Sequence, residues 1–389
     1  MKGKAIKGIN FLRFVWRCSP RNLRPWLAGP GLGYLVRLLL LGRRPRSGPN
    51  IIVGLLSSPT GMGEGARLQF SDFTNSGETV HARDLTDRFQ PEFMTITPPP
   101  APDLPPGGGR VIVHLNPPQL PRALFALGRA ALKEKMIVGY WAWELPRIPH
   151  YWHFAFHLVD EVWAPSHFVA KAICDDAPAR VQVRVVPHRV RTPSIGPQTR
   201  PDFGLPSQSF VAVTVCDANS TLTRKAPDLA ICAFTRAFGP ESNARLIVKI
   251  RDLDTRTGPG RELSEAAAQH PNVLLWNDTW DHSKLLALIH AANCFISLHR
   301  AEGFGLVIAE AMALGTPVVA TGWSGNMDFM KGPLAHPVAY SLVPARDTDG
   351  VFTQTQAHWA EPDISDAADK LSALAQKQLP SAALSKTTT

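Results

Sequence analysis

The stretch that most limits how this chain can fold is Ile296–Asp328, ISLHRAEGFGLVIAEAMALGTPVVATGWSGNMD. It reads as strand, glycine-bearing turn, helix, strand and a second glycine turn. Val307, Ile308, Ala311 and Met312 recur at helical spacing. Gly315-Thr316-Pro317 ends that helix, since Gly accepts the left-handed cap and Pro cannot continue. Val318-Val319-Ala320 is a short apolar run of the kind found in strands covered on both faces. A helix starting just after Gly303-Phe304-Gly305 aims its unpaired first-turn N–H groups, Leu306 among them, at one spot, where a phosphate or diphosphate is favoured. Glu302 and Glu310 bracket that spot, on the order of 10–12 Å apart at the helical rise. This suits an extended nucleotide-diphosphate ligand with hydroxyl-rich groups at both ends, because carboxylates accept from sugar hydroxyls.

The Glu302…Glu310 pair, with Gly303, Phe304, Gly305 and the Ala311-Met312-Ala313 run, resembles the E-x7-E signature of retaining glycosyltransferases, most closely family 4. The runs GYWAWELP and VDEVWAPSHFVAKAI resemble a bacterial, polysaccharide-type branch of the same family, so both halves of the chain carry the likeness. The resemblance implies an α/β chain of the GT-B type, two Rossmann-like domains facing each other across a cleft. It divides the chain into an arm at 1–48, an acceptor domain at 49–190, a donor domain at 207–362, and a terminal helix at 363–378 crossing back to the first domain.

With 389 residues, 44% of them apolar, two cores can be filled. The formal charge of +9 is unevenly placed: residues 1–63 hold eleven Lys or Arg and no acid, so the rest nets about −2. The pI is therefore a property of the arm. Within residues 1–46, aromatic and aliphatic residues interleave with the cations. That suits an interfacial helix on anionic lipid or a solvated basic extension, while no apolar run is long enough to span a bilayer. Nucleic acid is not an expected partner. Cys18, Cys174, Cys216, Cys232 and Cys294 are widely spaced, lack a C-x-x-C pair and fall mostly in apolar runs, which suggests buried free thiols in a reducing compartment.

In the first half, a buried strand at Ile51–Leu56 runs into the loop Ser57–Gly65 and then a helix. This is not a Walker loop, because no Lys-Ser/Thr follows. The resemblance puts Gly61, Gly63 and Glu64 on the acceptor side. A second strand ends at His114-Leu115-Asn116, a helix is expected over 120–135, and a third strand leads to Trp143-Glu144. Such carboxyl edges are where open α/β sheets bind ligands. Family members often have a histidine where Asn116 stands, so His114 and Asn116 are both candidates, as is Glu144. His150, His153 and His157 have metal-compatible spacing, but the aromatics between them favour a packing helix. Segment 189–206 reads as the interdomain linker.

In the second half, Arg224-Lys225 precede a helix from about Ala226, after a strand over 209–215. The resemblance sets Lys225 against the donor diphosphate, and Arg224 stands in for an upstream arginine that many members have. It places the nucleobase near Asn277 and Trp280 and the donor sugar or phosphate on the backbone of Ser324, Gly325 and Asn326. Two D-x-D triplets, at 252–254 and 347–349, are assigned no metal. Residues 335–343 read as one strand, and 379–389 as a disordered tail.

These expectations amount to a metal-independent, retaining hexosyltransferase. Glu302, Lys225 and Arg224 carry the chemistry, and no cofactor is needed beyond a GDP-, UDP- or dTDP-linked sugar as co-substrate. The expected acceptor is a glycan or lipid-linked molecule in surface polysaccharide synthesis. The expected place is the cytoplasm, with the arm allowing peripheral attachment to the inner face of the plasma membrane. A catalytically inactive nucleotide-sugar-binding subunit and a GT-B nucleotide-sugar epimerase remain the alternatives.

Overall fold

The computed structural model describes residues 27–100, 104–191, 194–256, 258–347, 350–352 and 355–378. The expectations for the first part of the arm, residues 1–26, and for the tail at 379–389 lie outside the described residues, as do Thr348 and Asp349 of the second D-x-D triplet. The chain forms two compact units. One comprises residues 1–142, 148–164 and 173–186; the other comprises 143–147, 165–172 and 187–389.

The first unit is built on a six-stranded, all-parallel sheet. Its strands are β1 (Asn50–Gly54), β2 (Val80–Asp84), β3 (Gly109–Val113), β4 (Lys135–Tyr140), β5 (Glu161–Ala164) and β6 (Gln182–Val185), in spatial order β2-β1-β3-β4-β5-β6. The chain moves from β1 outward to β2, then returns to the other side of β1 with β3, so the direction of winding reverses between β1 and β3. Every residue of β1 is buried, as expected for an apolar run covered on both faces. Ile52, Ala82, Ile112, Val138 and Trp163 pack with Leu56 and Ala66 to form one core.

Helix α1 (Leu32–Leu39) precedes the sheet, and α2 (Gly61–Asn75) follows β1. Just beyond α1, Arg43 forks onto Asp160 at 2.7 and 2.9 Å and donates to Lys135 O at 2.8 Å, tying the start of the chain to the sheet. The helix expected over 120–135 stops at Leu127, because Gly128 takes φ +80, and only a short turn follows at Arg129–Leu132. His150–Leu158 is a 3-10 helix.

The second unit repeats the plan with β7 (Val211–Asp217), β8 (Arg245–Arg251), β9 (Val273–Asn277), β10 (Cys294–Ser297), β11 (Val318–Thr321) and β12 (Ala335–Val338), ordered β12-β11-β10-β7-β8-β9 and again all parallel. Here the winding reverses between β7 and β10. The segment read as one strand over 335–343 is in fact two. β12 ends at Val338, and Tyr340–Pro344 (β13) pairs antiparallel with His358–Pro362 (β14) in a separate ribbon. Helices α3 (Pro227–Ala237), α4 (His282–Ala291), α5 (Leu306–Ala313) and α6 (Ile364–Gln378) cover this sheet. Helix α6, read from the sequence as crossing back to the first domain, sets Leu371, Leu374 and Ala375 into the second unit's own core beside Ile231 and Phe234 of α3.

None of the four described cysteines is in a disulfide among the described residues, but the expectation of burial holds only in part. Cys294 is buried and Cys216 half-buried, whereas Cys174 and Cys232 are exposed. Those two sit on outward faces of amphipathic helices, where an apolar run in sequence includes positions that point to solvent.

Candidate functional site

In both sheets the winding reverses between two adjacent strands, and in open α/β folds the crevice beyond the carboxyl ends of such strands takes the ligand. In the second unit those strands are β7 and β10, and the loops that follow them meet. After β7 the chain makes a 3-10 turn, with Asp217 accepting from Asn219 N at 2.9 Å. It then makes a single helical turn, Leu222–Lys225, flanked by Thr221 at φ 65 and Ala226 at φ 44. Positive φ at two non-glycine residues costs energy and persists only where neighbours over-determine it. Arg300 does that here. Its N–H donates to Arg224 O at 2.7 Å, its guanidinium donates to Thr223 O at 2.6 Å, and the rest of its fork grips Glu361 at 2.6 and 2.9 Å.

That turn delivers Arg224 and Lys225 to Glu302. Lys225 Nζ hydrogen-bonds Glu302 Oε1, and an Arg224 terminal nitrogen stands 3.4 Å from the same oxygen. Glu302 is 7% exposed and Arg224 4%. Burial by itself would raise the Glu302 carboxyl, but Lys225 and Arg224 beside it hold it down at about 2. Glu144 belongs to the same unit, 3.8 Å from Arg224. Burial raises its carboxyl; Arg224 opposes that shift and the Glu302 charge adds to it. Arg224 also donates to Ala301 O at 2.8 Å and Ser220 O at 3.2 Å. Both its terminal nitrogens are committed inside the protein. Lys225, with about a fifth of its side chain exposed, is the more accessible cation.

The backbone around Glu302 is stacked closely. Gly325 N donates to Glu302 O at 2.9 Å, and a Cβ on Gly325 would lie 2.1 Å from Gly303 O. A Cβ on Gly303 would lie 2.9 Å from Trp143 O, and Ser166 Oγ donates to Gly303 O at 2.6 Å. Both glycines are required by close approach of neighbouring chain. Gly305, at φ 88, is the N-cap of α5, so the first-turn N–H groups from Leu306 onward have no partner within the helix.

Other candidates serve the protein's own structure. Ser324 Oγ accepts from Glu302 N at 2.9 Å, so this side chain holds the catalytic candidate in place. Asn326 is fully buried. Its Nδ2 donates to Thr321 O at 2.9 Å, and its Oδ1 faces His299 Nε2 at 3.1 Å. That network assigns a His299 protonated on Nε2, with Nδ1 facing the Ser297 hydroxyl at 3.1 Å. Burial first of all lowers the His299 titration, consistent with a neutral ring. The Phe304 ring is buried, against His188 at 5.1 Å and Phe329 at 4.9 Å. Glu310 is buried and pairs with His282 Nε2 at 3.0 Å. Asn277 closes on the Leu253 backbone in both directions, at 3.1 and 2.9 Å. Trp280 stacks on Phe203 at 5.8 Å, with Lys249 and Lys284 over its ring at 4.8 and 4.1 Å.

In the first unit, the reversal between β1 and β3 collects the acceptor-side candidates. Gly61 opens α2. A Cβ on Gly63 would lie 2.4 and 2.5 Å from Ser58 O and Leu55 O, so the helix start is pressed onto the loop after β1. Glu64 takes the Arg67 fork at 2.6 and 3.1 Å, while Arg67 also donates to Leu56 O and Ser58 O at 2.8 Å. His114 faces Gln69 Oε1 at 2.5 Å and stacks on Tyr140 at 4.3 Å. Asn116 Oδ1 accepts from Ala142 N at 3.0 Å.

Ser166, His282, His299 and Arg300 escaped the sequence reading. Only His299 and Arg300 carried a signal, their place between the end of β10 and the glycine turn. The other two depend on contacts from elsewhere in the chain.

A family model described as family 4 glycosyltransferases in conflict systems matches residues 170–382. A search of curated proteins found no match. Among solved structures, Anabaena HepE in complex with UDP and glucose is similar at 14% identity, covering 85% of this chain and 96% of that one with a TM-score of 0.54. The same protein with UDP-glucose gives 16% identity, 84% and 97% coverage and a TM-score of 0.52. A TarM variant from S. aureus, in complex with fondaparinux, alpha-GlcNAc-glycerol and UDP, is 13% identical, covering 69% of this chain and 48% of that one with a TM-score of 0.48. The chain spans about half the length of TarM and of pneumococcal GtfA. At these identities the likeness is one of fold.

Proposed function

This chain belongs to the family 4 glycosyltransferases found in conflict systems and has the GT-B fold, and from that premise we propose that it is a retaining hexosyltransferase using a nucleoside-diphosphate sugar. One observation carries the reading: two cations from the loop after β7 converge on Glu302 at the open end of β10, beside the start of α5. In this reading the donor's diphosphate lies against the first-turn amides of α5 and Lys225. As the sugar–phosphate bond breaks, negative charge grows on the departing diphosphate, and preorganised donors stabilise it. Lys225 exchanges its contact with Glu302 for the phosphate, which leaves the Glu302 carboxylate to accept from hydroxyls of the transferred sugar. Arg224 stays in place as the buried counter-charge. The cation is supplied by the protein rather than by a metal, and no cofactor takes part.

Glu310, paired with His282, faces the donor's ribose in this reading, with Asn277 and Trp280 bordering the base. The backbone of Gly303, Gly325 and Asn326 lies against the sugar. UDP is the first nucleotide to test, since HepE was crystallised with it; GDP- and dTDP-sugars are the other arms. The acceptor is a glycan or lipid-linked molecule of surface polysaccharide synthesis; its candidate contacts are Glu144 in the second unit and, separately, Gly61, Gly63, Glu64, His114 and Asn116 in the first. The basic N-terminal stretch, residues 1–46, attaches the enzyme to an anionic membrane surface on its cytoplasmic side.

Thermal shift with each nucleoside diphosphate and its sugars tests the donor. A ligand at about 100 times its Kd stabilises by about 2.7 kcal/mol. Release of nucleoside diphosphate, with the product's anomeric configuration read by NMR, tests the reaction. Binding without turnover across an acceptor panel would overturn the transferase reading in favour of a binding subunit.

A further inference from the structure

In the first unit, α1 packs on the 3-10 helix His150–Leu158 so closely that a Cβ on Gly33 would meet the Phe154 ring at 2.9 Å. Beside that seam is a pocket of about 330 Å³ whose lining includes Tyr34, Arg37, His150, His153, Phe154 and His157. Residues three apart eclipse in a 3-10 helix, and His150 and His153 accordingly meet edge to face at 4.5 Å. His153 has Asp176 at 3.4 Å, and His157 has Arg180 at 3.3 Å. Arg37 differs from both: no carboxylate among the described residues pairs with it, and none lines the pocket. A guanidinium without a counter-ion, at the mouth of a ring-walled pocket, matches a phosphate's geometry and charge.

The same helix shows a second anomaly. Tyr34, Leu35, Leu38 and Leu41 are 63%, 51%, 59% and 58% exposed. Single exposed apolar residues are ordinary, but four within eight positions form a patch that seeks a cover. Positions 34, 37 and 38 share one helix face, so the arginine and the apolar side chains address the same surroundings. Residues 1–63 are acid-free and hold eleven cations, which selects an anionic cover.

We propose that this pocket takes the phosphate of an anionic lipid headgroup, while Tyr34, Leu35 and Leu38 enter the acyl boundary. The assignment rests on the membrane attachment proposed above and gives it a defined site. A soluble phosphate has the headgroup's charge but cannot cover the leucines, so the lipid is the occupant.

Flotation of the full-length protein with phosphatidylcholine vesicles, with and without phosphatidylglycerol, tests this. Binding is expected only where phosphatidylglycerol is present. Arg37→Gln should weaken it about 10- to 100-fold, as loss of a charge-assisted hydrogen bond does. Arg44→Gln, an exposed arginine outside the pocket, should weaken it about fivefold, the effect of any one surface cation. Leu35→Ser with Leu38→Ser should reduce binding while leaving the preference for phosphatidylglycerol intact. Equal losses for Arg37→Gln and Arg44→Gln would overturn the pocket and leave membrane attachment standing. Absence of binding to phosphatidylglycerol vesicles would overturn both. If inorganic phosphate raises the Tm of the wild type but not of Arg37→Gln, while the two bind vesicles equally, the pocket holds a soluble anion and the lipid assignment fails.

Discussion

Both sheets are six-stranded, all parallel and reverse their winding once, after one further strand in the first (β2) and two in the second (β8, β9), yet the two reversal points carry different chemistry. At β1 and β3 the ion pair is local, Glu64 with Arg67 three residues on, and His114 pairs with the neutral Gln69 of α2. At β7 and β10 the partners lie 77 and 78 residues apart, and one carboxylate faces two cations in a site almost closed to water. The fold supplies a crevice in each half; the side chains decide which crevice is charged. A local ion pair folds with its own helix turn and is ordinary surface chemistry. A buried convergence of charge from two loops persists only because the surrounding backbone, with its positive φ at Thr221 and Ala226, is held by Arg300.

The contrast breaks most readily at Lys225. Lys225→Ala should cut turnover by about 100- to 1000-fold, the range for removing one preorganised donor to a developing charge, and should lower Tm as well, because the buried Glu302 carboxylate loses the first of the two cations that hold it ionised. A loss under about tenfold would mean the cation is not against the leaving group.

Next is Glu302→Gln, which leaves Arg224 and Lys225 facing no charge. With the carboxyl lowered from 4.5 to about 2, the folded state gains on the order of 3 kcal/mol at neutral pH, at about 1.4 kcal/mol per pH unit. Because this pKa is depressed, that stability is present above about 4.5 and is lost as the pH falls toward about 2. Urea unfolding should therefore separate wild type from variant at pH 7, and the gap should close across that window. Glu144 sharpens the point, since its pKa is raised from 4.5. Its contribution favours folding below that value and is lost as pH rises through the folded one. Glu144→Gln should thus show the opposite pH slope.

In the first unit, Gly63→Ala forces a Cβ against two carbonyl oxygens and should cost about 1–3 kcal/mol by overpacking, read from the urea midpoint. The smallest effect is Ser324→Ala, which removes the acceptor of Glu302 N–H. It should cost about 1 kcal/mol, with a measurable rise in the KM for the donor sugar.

Much of the second half was legible in the residues. Helical periodicity, a Gly-Thr-Pro stop and a β-branched run are local signals, so the end of β10 and the whole of α5 and β11 fall within Ile296–Asp328 where the pattern put them. Asp281 caps α4 by an equally local contact, its side chain accepting from Lys284 N at 2.9 Å. Signals of that kind misled where one apolar run served two purposes. Residues 335–343 turn from one sheet to another at Ala339, and the helices carrying Cys174 and Cys232 aim those thiols outward. Ser324 and Asn326 were expected to offer their backbone to the donor; what the packed structure adds is their side chains bracing the loop.

The sequence by itself determined the secondary structure around the glycine turn, the α/β class and the acid-free, basic start of the chain, because each is a property of neighbouring residues. Tertiary structure decided that Arg224 and Lys225 meet Glu302, that Glu144 reaches Arg224, that Glu310 finds His282, and that Arg37, beside the His150–Leu158 helix, has no counter-ion among the described residues. Those outcomes depend on which loops a sheet brings to one edge and which helices pack together. Charge and burial act through space, so residues distant along the chain set each other's protonation and partners.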